Sequence, residues 1–499
     1  MKLEIHNLGP ISRFDFDLSK NLNVIFGKNN IGKSYAITTV YLIVKNLINE
    51  PLGFLMYNDY FYFNRAWDNE NPKIEKELNK IESLLTAKLK EKETDSVEIN
   101  EIVENLFTKF VSKSFLPRLE QSFNNSFDSI EGLNNKFSNE KFRISLFFNE
   151  FTFDIIINSK NRFEIAGFKI NKRISIKKIK TNRKTSRSSN EILTYVNIKY
   201  IESNKPVLSQ ILPEISSHFH FSVSDEINSL INSVYFLPAS RSGLYQALST
   251  FSAVIAELSK SRNFLSSKIE LPNISEPVSD YFLYLSKITD TKKKSKFSSI
   301  AKNIEKSILN GEIRFNKDNK KIVFYPNKIN TELDLSVTSS MISEIAPIVA
   351  YLKYIIPSKV TRRIDHHRYY YNYNMISRRS SKTEFTSLIF IEEPEAHLHP
   401  SIQVKLMEVF TGLSNNNIKI VMTSHSNYMF NKLSNLILER EINHETVGSY
   451  LMKMTNKGSV VDDLAMKSGE EGIVDENFGD VAEELYNERL SIYEKISGK

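Results

Sequence analysis

Two groups of residues with the types and spacing for phosphate chemistry stand far apart in this chain. Near the start, Leu22-Asn23-Val24-Ile25-Phe26 runs into Gly27-Lys28-Asn29-Asn30-Ile31-Gly32-Lys33-Ser34, a G-x-x-x-x-G-K-S pattern. In that pattern the glycines let backbone N–H groups curl round phosphates. The lysine reaches the β- and γ-phosphate oxygens, and the serine hydroxyl ligates Mg²⁺. Gly27, Asn29, Asn30, Gly32, Lys33 and Ser34 are therefore the expected nucleotide contacts. Late in the chain, Leu388-Ile389-Phe390-Ile391 delivers Glu392-Glu393-Pro394-Glu395. Glu392 is expected to hold Mg²⁺ with Ser34, directly or through water. Glu393 is expected to orient or deprotonate the attacking water. His425, in Thr423-Ser424-His425-Ser426, ends a further apolar run and is placed to reach the γ-phosphate. Together these residues point to hydrolysis of ATP or GTP.

Two further histidines, His397 and His399 in Ala396-His397-Leu398-His399-Pro400, have metal-ligating side chains. With no third ligand near them, helix capping or an interface role is the better reading than zinc.

The elements that must position these groups follow from the pattern. Residues 1–48 read as strand, turn, strand, phosphate loop and helix, which puts the phosphates at a helix N-terminus where free N–H groups favour anions. From about 72 to 122, apolar residues recur every three or four positions, and Gly and Pro are absent from Ile74 to Leu116, so long helices are expected. Alternation over about 141–170 predicts antiparallel strands. Val234-Tyr235-Phe236-Leu237 reads as a buried strand. Ile313-Arg314-Phe315 and Lys321-Ile322-Val323-Phe324-Tyr325 read as a hairpin, and residues 335–357 as a serine-rich turn followed by an apolar helix. Strands alternating with helices argue for an α/β core. The long separation of the two motifs means that a large helical and β insertion lies between strands of one sheet. The organisation expected is an N-terminal ATPase part with the phosphate loop (1–50), an inserted region with a basic loop (51–232), a helical and hairpin region (233–334), a part completing the ATPase (335–435) and a helical tail (436–499).

The net charge of +7 comes from 66 Lys and Arg against 59 Asp and Glu, and its arrangement is more informative than its size. Eight cations and no acid lie from Lys172 to Arg187, including Lys177, Lys178, Lys180, Arg183 and Lys184; this stretch is expected to be a loop. Further clusters are Lys292-Lys293-Lys294 with Lys296, and Arg362-Arg363 through Arg368-Tyr369-Tyr370-Tyr371 to Arg378-Arg379. Basic residues with aromatic neighbours fit phosphate-backbone contact, so DNA or nucleoprotein is an expected partner. The absence of cysteine excludes disulfides and cysteine-based zinc sites. A strand-like start and the lack of a bilayer-length apolar run point to the cytoplasm, with no membrane partner.

The segment Leu388 to Pro400 resembles the Walker B strand and following loop of OLD-type ATPases, relatives of RecF and the SMC proteins within the ABC-type ATPases. The loop Phe26 to Ser34, the segment Thr423-Ser424-His425-Ser426 and the start Ile5-His6-Asn7-Leu8-Gly9-Pro10-Ile11 fit the same group. The resemblance covers roughly 1–48 and 335–435. It implies a P-loop NTPase with a two-lobed, ABC/SMC-head-like fold, ATP and Mg²⁺ as ligands, and ATP sandwiched between two heads of a dimer or higher even-numbered oligomer. A signature loop then caps the partner's nucleotide. The matching segment here is Val337-Thr338-Ser339-Ser340-Met341-Ile342-Ser343-Glu344, with Ser340 as the capping serine and Met341 in place of the usual glycine. The same serines would also serve as a helix N-cap. OLD nucleases carry a TOPRIM domain after the ATPase, and no such pattern follows His425. The resemblance thus implies a stand-alone ATPase of an anti-phage system with a separately encoded nuclease: an HNH endonuclease in the Septu or retron arrangement, or a TOPRIM nuclease in the PARIS arrangement. A RecF-like repair ATPase is the remaining alternative.

Overall fold

The computed structural model describes residues 1–49, 72–90, 96–138, 140–180, 186–187, 191–203, 206–247, 274–288, 297–329, 331–356, 387–462, 467–470, 472–474 and 480–497. The chain divides into two compact units, Met1–Leu18 with Leu42–Leu230, and Ser19–Tyr41 with Ile231–Lys499.

The second unit holds both phosphate-chemistry motifs. The elements that build its parallel sheet and the helices around it are, in chain order, β1 (Leu22–Phe26), α1 (Lys33–Asn49, of which the part through Tyr41 belongs here), β2 (Ser233–Leu237), α2 (Ser340–Ala350), β3 (Ser387–Glu392), α3 (Pro400–Asn415), β4 (Ile418–Ser424), α4 (Asn427–Leu438), β5 (Val447–Thr455) and β6 (Gly458–Val461). The strands lie in the order β2-β3-β4-β1-β5-β6. The first five are parallel, and β6 runs antiparallel to β5. A parallel strand covered on both faces needs apolar side chains on both, so it reads as a continuous run. Accordingly, β1 and β4 are buried at every position. The strand ends fall level with one another: Leu237 pairs with Ile391, Glu392 with Thr423, and Ser424 with Phe26. Every motif residue therefore emerges at the C-terminal edge of one sheet, where open α/β sheets bind ligands.

Helices cover this sheet through large aromatic contacts. Phe430 of α4 meets Phe26 edge-on at 5.4 Å, and Tyr41 of α1 meets Phe236 at 4.9 Å and Phe390 at 5.4 Å. Burial of each such ring contributes about 2–3 kcal/mol. Three helices are capped by the side chain just before them: Ser339 for α2, Ser426 for α4, and His399 for α3, where Nδ1 accepts from Ser401 N at 3.3 Å. The histidine cap is one of the roles expected for this pair. The expected hairpin forms from Gly311–Asn316 and Lys321–Pro326.

The first unit contains an antiparallel sheet with neighbouring strands Ile11–Asp17, Lys2–Leu8, Arg143–Phe147, Phe151–Ile157 and Phe163–Ile170. Alternate residues Phe151, Phe153 and Ile155 point inward, and the Phe153 and Phe168 rings stack at 5.8 Å. Two points differ from expectation. The helical pattern of 72–122 forms two helices, Pro72–Lys90 and Asn100–Phe127, with a strand at Ser96–Glu98 between them. The basic stretch after Lys172 is not a loop throughout: Arg173–Ile179 is a strand, parallel to Glu191–Asn197 and antiparallel to Ser96–Glu98. Ile174 and Ile176 are fully buried there, and the cations on either side hid that pair in the sequence. Arg183, Lys184, the cluster at 292–296 and the cluster at 362–379 lie outside the described residues.

Glu150 shows what a cation of that basic stretch does in the fold. Lys172 Nζ donates to Glu150 Oε1 at 2.7 Å, and His218 Nε2 lies 2.8 Å from Oε2. Burial pushes the Glu150 carboxyl up, but the contacts from His218 and Lys172 outweigh it and hold the group down at about 2, against an ordinary 4.5. A depressed folded-state value stabilises the fold above the unfolded value. Glu150 should thus contribute fully above about pH 4.5 and lose its contribution as pH falls toward about 2. Glu150→Gln should lower the unfolding free energy by about 2 kcal/mol at neutral pH, and the gap to the parent should close on acidification. Denaturant melts of both proteins from pH 7 to pH 3 check this.

Candidate active site

The phosphate loop leaves β1 at Gly27, whose φ is 147°. A Cβ there would come within 2.2 Å of Ile31 Cδ1 and 2.8 Å of the Met452 carbonyl, so the turn requires glycine. Gly32, with φ of 93°, closes the loop, and its carbonyl accepts the early helical hydrogen bond from Ala36 N at 3.0 Å. Asn30 takes a left-handed φ of 63°, which asparagine tolerates better than most residues. Lys28, Asn29, Asn30 and Ser34 are exposed, whereas Lys33 is buried. Lys33 Nζ spans the loop, donating to Gly27 O at 2.8 Å and Lys28 O at 2.7 Å. Burial lowers its pKa, while the charges of Glu393 and Glu395 push the other way. The first turn of α1 holds no acid, so its free N–H groups and dipole favour an anion.

Glu392 ends β3 and meets the loop directly. Its carboxylate faces the Ser34 side chain and the Ala239 backbone. Burial raises its pKa, those two contacts lower it, and the neighbouring Glu393 charge raises it again. A serine hydroxyl against a carboxylate is a hard-oxygen pair of the kind Mg²⁺ takes. The residues expected for the ion are therefore together and fit it.

Glu393 adopts a left-handed φ of 40°. Its N–H is shared between the carbonyl and hydroxyl of Thr423, at 3.1 and 3.2 Å. His425 follows β4, and its placement depends on Glu395. The buried Glu395 Oε1 accepts from Ser424 Oγ at 2.8 Å and His425 N at 2.7 Å, and lies 3.3 Å from His425 Nδ1. The imidazole remains 44% exposed, so its backbone is anchored while its ring faces outward.

Lys33, Ser34, Glu392, Glu393 and His425 are thus gathered at one sheet edge. Ser340 is apart from them. It is the exposed first residue of α2, next to the capping Ser339, and among the described residues it makes no hydrogen bond to the loop or the carboxylates. Two contributors carry no signal of their own in the sequence. Glu395 lies within a recognisable segment, but its contacts are 29 and 30 residues away. Arg241 follows a short strand with no motif around it, yet it is fully buried behind Glu392 and Glu393.

A family model described as AAA ATPase domain matches residues 1–430. No curated protein matches the chain. Among solved structures, the SMC head bound to the C-terminal winged-helix domain of ScpA is 11% identical over 92% of this chain and 96% of that one, with a TM-score of 0.33. The SMC head domain from Thermotoga maritima is 9% identical over 93% and 97%, with a TM-score of 0.32. The family assignment stands on the sequence match rather than on these distant likenesses.

The site geometry separates three substitutions. Lys33→Ala should reduce ATP hydrolysis at least about 100-fold and weaken nucleotide binding, because it removes the buried ammonium that faces the phosphates. Glu393→Gln should retain ATP affinity and lose about 100-fold or more in kcat. Glu392→Gln should chiefly raise the Mg²⁺ concentration needed for half-maximal binding. Nucleotide titrations at varied Mg²⁺, alongside steady-state turnover, measure all three; identical behaviour of the two glutamate variants would contradict this division of roles.

Proposed function

We propose, on the premise that this chain belongs to the AAA ATPase domain family and hydrolyses ATP, that it works as a two-headed switch governing a separately encoded nuclease in anti-phage defence, in the Septu or retron manner. The observation that carries the two-head reading is the position of Ser340. One chain supplies one phosphate loop and one carboxylate pair, while its signature-like serine stands exposed at the start of α2. A second copy would bring its own Ser340 to the nucleotide. Tyr35 and Tyr428, 36% and 53% exposed beside the loop helix and the His425 turn, offer apolar surface for the same contact. The defence reading is supported by the Leu388 to Pro400 segment, which resembles that of OLD-type ATPases, and it extends the family assignment.

In this reading the phosphate loop binds the triphosphate through its backbone N–H groups. Lys33 exchanges its bonds to Gly27 O and Lys28 O for phosphate oxygens. Glu393 takes the proton of the attacking water, and His425 donates to the γ-phosphate as charge builds there. Ser34 and Glu392 would hold Mg²⁺, which would supply positive charge against the phosphate oxygens. No described helix is long and apolar enough to cross a membrane. DNA or nucleoprotein is proposed as a partner. Of the basic strand, Lys177 and Lys180 are exposed, whereas Lys172 and Arg173 are engaged by Glu150 and Glu98.

The mass of Glu393→Gln with and without ATP tests the switch. A dimer or higher even oligomer should form with ATP, since a nucleotide held between heads favours the assembled state. Ser340→Arg should block that assembly and hydrolysis while leaving the melting temperature unchanged. A strictly monomeric protein at micromolar concentration with full turnover would refute the model. Replacing Lys177, Lys178, Lys180, Arg183 and Lys184 with Ser should weaken DNA binding and flatten its salt dependence by about one unit of slope for each phosphate no longer neutralised; an unchanged slope removes this segment from the interface.

A further inference from the structure

Arg241 follows β2 after the turn Pro238-Ala239-Ser240, and its side chain is fully buried. A guanidinium carries five N–H donors in a planar fork, and leaving any of them unmatched in such a place is costly. Four hydrogen bonds and one ion pair surround it. Nε donates to the Glu344 carbonyl at 3.2 Å. Nη1 donates to the carbonyls of Pro238 at 3.1 Å and Glu392 at 2.8 Å. Nη2 donates to the Glu393 carbonyl at 3.4 Å and lies 3.3 Å from Glu344 Oε2.

Two of these acceptors flank a single α-carbon. The carbonyls of Glu392 and Glu393 belong to the peptide planes on either side of the Glu393 Cα. Fixing both planes fixes the two backbone torsions of Glu393, and with them the direction in which its side chain leaves. That constraint has something to oppose, because Glu393 holds a φ of 40°, which residues with a side chain avoid. The guanidinium is itself oriented. Glu344 is fully buried, and its Oε1 accepts from the Ser242 hydroxyl at 2.5 Å and Ser242 N at 3.3 Å. Tyr281 Oη donates to the Arg241 carbonyl at 3.2 Å. Glu344 sits one turn into α2, so the same clamp ties the helix that starts at Ser340 to the end of β3.

We propose that Arg241 is a positioning residue for ATP hydrolysis: its grip on the Glu392 and Glu393 carbonyls aims the Glu393 carboxylate, and Glu344 orients the grip. The proposal rests on the reading of Glu393 as the group that activates water. Arg241→Lys keeps a cation beside Glu344 but replaces the planar five-donor fork with a three-donor ammonium, which cannot grip both strand-end carbonyls in the same fixed geometry while also meeting Pro238 and Glu344. Its kcat should fall about 10- to 100-fold, the loss that small misplacements of a reacting group produce. KM and the affinity for a non-hydrolysable ATP analogue should change less than about threefold. Glu344→Gln, which keeps size and loses charge, should show the same split with a smaller fall. Assays are run well below the measured melting temperature and normalised to nucleotide-binding sites. A merely structural role would then leave kcat per site unchanged.

The decisive comparison is the double variant. Once Glu393→Gln has removed the acting carboxylate, adding Arg241→Lys should lower the residual rate no further. A folded Arg241→Lys protein with kcat per site within twofold of the parent, or a full additional loss in the double variant, overturns the proposal. Should Arg241→Lys not fold, Glu344→Gln alone and combined with Glu393→Gln decides by the same two criteria. Parental turnover by Glu393→Gln itself would instead overturn the reading of Glu393, and the aim of the clamp would fall with it.

Discussion

The site depends on the register of four parallel strands. Because Leu237 pairs with Ile391, Glu392 with Thr423 and Ser424 with Phe26, four chain segments cross the same sheet edge at the same height. A slip of one residue in any pair would turn every side chain of a strand to the opposite face. It would also separate Ser34 from Glu392, which now face each other. The strands are covered on both faces by apolar residues, so such a slip would force Asn23, Lys419 and the strand-end carboxylates into the wrong environments. Register is thus specified by burial, and the site follows from register.

The same edge gathers more buried charge than a core ordinarily tolerates. Lys33, Arg241, Glu344 and Glu395 are all buried. Burying an isolated charge is strongly unfavourable, whereas a charge that is paired and hydrogen-bonded is tolerated. Each of these groups has found partners: the loop carbonyls for Lys33, the Ser424–His425 turn for Glu395, and each other together with Ser242 for Arg241 and Glu344. Removing one partner therefore exposes the other to the full cost, which links the catalytic edge to local stability.

Most of the nucleotide unit was legible from the sequence, and the reasons are local. A glycine with φ of 147° followed by a lysine-led helix announces a phosphate loop, since few other residues fit that turn. Continuous apolar runs such as Leu388 to Ile391 announce buried parallel strands. Arg241 could not be read in this way. Apart from Pro238, its acceptors, Glu344, Glu392 and Glu393, are 103 to 152 residues away and are mostly backbone carbonyls, which leave no trace in side-chain pattern. The strand Arg173–Ile179 was missed for a different reason: its two buried isoleucines are outnumbered by the cations Arg173, Lys177 and Lys178, and Arg173 and the preceding Lys172 are matched by acids distant in the sequence.

The insertion between the two motifs obeys the same constraint as the site. The chain leaves the nucleotide unit after Tyr41, within α1, and returns at Ile231, just before β2. Both points lie on the covering helix or at a strand's entry, away from the C-terminal edge where Phe26, Glu392 and Ser424 end their strands. A long insertion at those points leaves the pairing of β1 with β4 untouched, because that ladder closes within Leu22–Phe26 and Ile418–Ser424. The cost of closing a loop grows only slowly with its length, by about 0.6 kcal/mol per doubling. The parallel ladder at the site therefore keeps its edge geometry whatever length of chain lies between Tyr41 and Ile231.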